Sequence, residues 1–82
     1  MNYTMEIFAC MKDADGPMRL KQMLAHDMGM DCEVWSCPDN EDNAVLVKCW
    51  KDCKEEVIGC MEKIGLDEYD GLTVSEIRGY KE

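Results

Sequence analysis

The sequence predicts a single α+β domain in which strand, helix, strand, strand, helix and strand follow one another. Three observations lead to it. The segments near both ends and in the middle alternate apolar and polar residues or run as short β-branched stretches, as strands do. Two intervening segments repeat apolar residues at helical spacing. A length of 82 residues holds one small core and no second domain.

"YTMEIFACM" (3–11) opens the chain as a strand, with Tyr3, Met5, Ile7, Ala9 and Met11 on one face. "KDADG" turns the chain, and Pro17 suits the first turn of a helix with Asp15 or Gly16 as its cap. Leu20, Met23, Leu24 and Met28 supply that helix with an apolar face, and Gly29 stops it. "CEVWSC" (32–37) and "AVLVKCW" (44–50) read as two strands around the polar loop "PDNEDN". The second helix starts at a box-like pair, Asp52 and Glu55, and carries Cys53, Val57, Cys60, Met61 and Ile64 on its apolar side. Gly65 ends it. "LTVSEIRGY" (72–80) is the last strand, whose alternation slips near Glu76 and so predicts a bulge or an early end.

This βαββαβ order resembles the ferredoxin-like split-βαβ fold over nearly the whole chain, by element order rather than by a motif. The resemblance implies an antiparallel sheet in order 4-1-3-2 with both helices on one face. Length, acidity and the abundance of Met and Cys are similar to those of small acidic proteins of methanogenic archaea, which implies a cytoplasmic source.

The charge balance narrows the partners. Eighteen acids against nine bases leave a formal net charge of −9, which disfavours a phosphate backbone or an anionic membrane and leaves cations or proteins. No apolar run spans a bilayer, and "MNYTMEIFAC" lacks the basic stretch and long apolar core of a secretory signal, so an intracellular, cytoplasmic protein is expected. Its six cysteines then read as buried thiols or metal ligands rather than disulfides.

Where the acids fall is more specific. Following the topology end by end brings the loops 11–16, 37–44 and 65–71 to one pole of the sheet. They carry Asp13 and Asp15, then Asp39, Glu41 and Asp42 beside Asn40 and Asn43, then Asp67, Glu68 and Asp70: eight of the 18 acids. Like charges at about 4 Å repel by ~1 kcal/mol in water, so the cluster stays open or a cation relieves it. Hard cations, calcium above all, take such oxygen ligands on flexible turns, and the C-terminal end of a helix adds negative potential. Asp67, Glu68 and Asp70 are the expected nucleus of a calcium site, Asp13 and Asp15 its neighbours, and Asp39, Glu41 and Asp42 further ligands. "DADG" matches only the middle of an EF-hand loop, and helix capping and solubility account for the same acids without a metal.

The remaining chemistry is thinner. Cys32, Cys49, Cys53 and Cys60 point to one core and suit a zinc or iron thiolate site, but no C-x₂-C pair occurs and small buried thiols are common core residues. Eight methionines suggest soft-metal handling of copper(I), but Met23, Met28 and Met61 fit core positions and core filling is the stronger reading. His26 reads as exposed or capping. Phe8, Cys10, Trp35, Cys37, Leu46 and Trp50 would project from the uncovered face of the sheet, which suits a homodimer or a protein partner. Catalysis is not expected: no phosphate-binding glycine loop is present, and His26 with Ser36 or Ser75 lacks a nucleophile motif. Cys10 and Cys37 show no sign of an activated thiol.

Overall fold

Strand β1, Met5–Cys10, alternates as its sequence does: Met5, Ile7 and Ala9 are buried, while Phe8 is exposed. A computed structural model of the chain describes residues 3–36, 43–67 and 72–77. After β1 the chain turns through 12–15 into helix α1, Gly16–Gln22, with Pro17 in its first turn. Asp15 sits at the N-cap, yet its side chain makes no capping bond; its carbonyl accepts Arg19 N–H at 3.0 Å instead. Gly16 is required for packing. A Cβ there would lie 2.7 Å from Met11 Cβ.

The first helix departs from the expected regular run to Met28. From Met23 to Asp27 it widens into a π-helical turn, closed by Met28 N–H donating to Met23 C=O at 3.0 Å. Leu20 and Leu24 are fully buried as their spacing predicts, but the wider turn rotates Met28 out of the core and leaves it 42% exposed. Gly29, at φ +58, then reverses the chain in a conformation that glycine adopts without penalty.

Strands β2, Cys32–Ser36, and β3, Ala44–Cys49, follow, with the loop 37–42 outside the described residues. Helix α2, Lys54–Ile64, is preceded by a 3-10 turn, Lys51–Cys53. That turn puts Cys53 rather than Asp52 at the cap position, so the expected Asp52–Glu55 box does not form, and Glu55 and Glu56 face the positive end of the helix dipole. Gly65 ends α2 at φ +126, its N–H donating to Met61 C=O. Strand β4 is short, Leu72–Glu76, stopping where the alternation slips.

The result is one α+β domain with an open, four-stranded antiparallel sheet in order β2-β3-β1-β4, which reads 4-1-3-2 from the β4 edge. The core lies between the sheet and the helices. Ile7, Val45, Val47 and Cys49 meet Leu20, Leu24, Val57 and Met61, each at most 1% exposed. Tyr3 does not join that core as its place in the alternation predicts, because it lies beyond the end of β1 and bonds Asp31 instead.

Candidate functional site

Three backbone hydrogen bonds draw the loop pole together. Met11 N–H donates to Asn43 C=O at 3.0 Å, Lys12 N–H to Gly65 C=O at 3.0 Å and Asp67 N–H to Cys10 C=O at 2.8 Å. Asn43, at φ +54 in the left-handed region that Asn tolerates, also turns its Nδ2 to Met11 C=O at 3.4 Å. The turn after β1, the start of β3 and the chain leaving α2 therefore meet at one end of the sheet. Asp13 and Asp15 are exposed there and Asp67 is half-buried. Lys12 places a positive charge among them. Among the described residues, no group of three or more His, Cys, Asp or Glu side chains is arranged to hold a metal ion. Asp39, Glu41, Asp42, Glu68 and Asp70 lie outside the described residues.

The opposite pole holds a constellation that no sequence motif marks. Tyr3 Oη donates to Asp31 Oδ1 at 2.7 Å, and Trp50 Nε1 donates to Asp31 Oδ2 at 3.1 Å. The two rings lie 5.2 Å apart, tilted by 59°. Hydrogen bonds from Tyr3 and then Trp50 hold the Asp31 carboxyl below its ordinary range. The same bond to Asp31 pushes the Tyr3 phenol up to about 12. Trp50, which continues the parity of Leu46 and Lys48 one step past β3, turns its Nε1 to this carboxylate. The signal was present in the topology, since the start of β1, the start of β2 and the end of β3 share a pole.

Cys32 and Cys49 face each other across β2 and β3, and Cys53 lies close enough to raise the thiol pKa of both. Burial is the first cause in each case and pushes Cys49 up to about 11. Burial also raises Cys53 and Cys60. These four thiols stay protonated near neutral pH, which makes them poor nucleophiles. All four pack on the core, and among the described residues they do not form the four-thiol cage that a zinc or iron site would need. Cys60 sits on the groove side of α2, where its Sγ donates to Met28 Sδ at 3.2 Å. His26 is exposed on the π-turn, as expected.

On the sheet face away from the helices, register aligns Trp35, Leu46, Phe8 and Thr73 in one row across all four strands. Trp35 is 57% and Phe8 43% exposed, and Leu46 is half-buried. The next row is Glu33, Lys48, Glu6 and Ser75. Lys48 Nζ lies 5.9 Å from the Trp35 ring centroid, and Trp35 Nε1 donates to Glu33 Oε1 at 3.3 Å. Cys10, expected on this face, is only 4% exposed; beside it the segment 65–67 pairs with the end of β1, bridging Leu66 to Met11. Cys37 lies outside the described residues. The apolar face is thus a stripe beside a charged row, narrower than alternation alone predicts. Among the described residues, no helix is long and apolar enough to cross a membrane. Compared with known proteins, the chain matches no family model and no curated protein sequence.

Proposed function

We propose that this chain is a small, non-enzymatic association module of ferredoxin-like topology that pairs with a second copy of itself through the open face of the sheet. The fold attribution rests on the strand order, 4-1-3-2 from the β4 edge, with the helices on one face. The association reading rests on one observation, the exposed Trp35–Leu46–Phe8 stripe. Aromatic anchors beside a polar row are the composition of interface centres and rims. The flanking row alternates acid, base, acid in Glu33, Lys48 and Glu6, which suits a face of its own kind better than a uniformly basic one. Four strands of five or six residues cover only about 19 by 20 Å, so the dimer belongs to the small, weak class.

Sedimentation of reduced, chelator-treated protein tests this directly. A monomer–dimer equilibrium is expected that tightens with salt, because two copies of charge −9 repel until screened. Trp35→Ser with Phe8→Ser is expected to give a folded monomer. A wild-type monomer at every concentration and salt sinks the reading.

A second reading keeps the loop pole as a weak site for calcium or a similar hard divalent cation, with Asp67, Glu68 and Asp70 as its nucleus and Asp13 and Asp15 beside them. The backbone bonds that join the turn after β1 to Gly65 and Asp67 support it. Calcium titration followed by amide NMR, with magnesium as comparison, is expected to move residues 11–16 and 65–71 saturably. Asp67→Asn with Asp70→Asn is expected to remove that response while leaving the fold intact. A uniform, salt-like drift in the wild type rules the site out.

A further inference from the structure

The groove between the π-turn and α2 owes its composition to a local irregularity. In a regular α-helix Met23 and Met28, five residues apart, would stand about 140° apart, at opposite edges of the apolar face. The π-turn closes its hydrogen bond over that interval, from Met28 N–H to Met23 C=O, and brings both thioethers to one wall. The facing wall is α2, which presents Cys60 next to Gly59. A Cβ at Gly59 would meet no atom within 4 Å, so the space there is open. The cavity measures about 320 Å³, lined by Met23, Met28, Gly59 and Cys60 with Asp27, Glu56 and Lys63 also bordering it. Across it Cys60 Sγ and Met28 Sδ are 3.2 Å apart.

We infer that this groove is a binding site for a soft monovalent cation, copper(I) in chemical class, held by Cys60 Sγ and the thioethers of Met28 and Met23. Thioethers are neutral, polarisable donors that bind hard cations poorly and select soft d¹⁰ ions. Core filling does not explain Met28, which is 42% exposed. The set also lies outside any grouping of His, Cys, Asp and Glu, since two of its three donors are methionines. Asp27 and Glu56 add negative potential for a cation and Lys63 opposes it, so the carboxylates prevail by one charge. Binding forms a sulfur–metal bond at Cys60 and releases the thiol proton to solvent, with no change in oxidation state. Affinity is therefore expected to fall as pH falls. The groove lies on the helix side of the molecule, so the inference stands apart from the dimer proposed for the opposite face.

Silver(I), a redox-stable analogue, is the probe. It would be titrated into reduced protein carrying ¹³C-methyl methionine. The first equivalent is expected to move the methyl signals of Met23 and Met28, leave those of Met5, Met11 and Met61 in place, and release one proton per ion. Met28→Leu alters an exposed position that the fold does not need, and is expected to weaken binding about tenfold. Cys60→Ser is expected to abolish the methyl shifts. The site is refuted if the first equivalent leaves the Met23 and Met28 methyls unmoved, as capture by Cys32, Cys49 and Cys53 would. Equal affinity in Met28→Leu refutes it as well.

Discussion

Gly16 shows how tightly one residue is constrained when a turn meets a core. Met11 is 1% exposed and its Cβ would stand 2.7 Å from a side chain at position 16. Gly16→Ala is expected to cost ~1–3 kcal/mol by overpacking, although alanine is the better helix former, and denaturant unfolding reads the loss. Asp31 makes the complementary case for polar groups. Its folded pKa is lowered, so the stability it contributes is present above the ordinary carboxylate range and is lost as pH falls through the folded value. Tyr3 runs the other way. Its pKa is raised from 10.0 to about 12, so its contribution is complete below pH 10 and is lost as pH rises toward 12. An ultraviolet tyrosinate titration, with Tyr3→Phe as the difference, is expected to show one late-ionising phenol. Asp31→Ala should return that phenol toward its ordinary value; an unchanged late phase would mean that another group holds it.

The elements differ in how firmly they are held. β1 and β3 are central strands, paired on both sides, and their inward residues are almost completely buried. β4 pairs with β1 alone, and Thr73, Val74, Ser75 and Glu76 are all exposed. Amide exchange is therefore expected to be slowest in β1 and β3 and much faster in β4. Comparable protection in β4 would mean that its edge is covered in solution. α1 and the π-turn after it depend on one buried leucine each, Leu20 and Leu24, in a short helical run, so packing rather than propensity must hold them. Leu24→Ala is expected to cost ~2–5 kcal/mol in urea unfolding, because neither helix nor sheet can close fully over the space left.

At the scale of the molecule, the surface is divided among distinct chemistries. One pole gathers loops rich in acids, the other clamps Asp31 between two aromatic donors, the open sheet face carries the aromatic stripe, and the helix side holds the sulfur-lined groove. The only ion pair within 4 Å among the described residues, Lys51–Glu76 at 3.9 Å, is exposed on both sides and adds little to stability. Among the described residues most of the charge is thus left to long-range repulsion. Added salt is expected to raise the midpoint of thermal unfolding as well as to favour the dimer. An unfolding midpoint that falls with salt would show that specific pairs outweigh the net charge.

Local order was legible in the sequence because it rests on neighbours a few residues apart. The period of two in Met5, Ile7 and Ala9, the spacing of Leu20 and Leu24 and the stop at Gly65 each appear where the pattern puts them. The meeting of the loops could be followed too, since it needs only the order of elements. What the chain could not show locally was decided by contacts between distant segments. Cys10 is 4% exposed against its alternation, beside the pairing of Leu66 with Met11, and Tyr3 bonds Asp31, 28 residues away, instead of joining the core. A single widened turn moved Met28 from the core to the rim of a groove opposite Cys60. Pattern determines which face a residue can present; only the assembled fold determines what covers that face, because burial depends on residues far away along the chain.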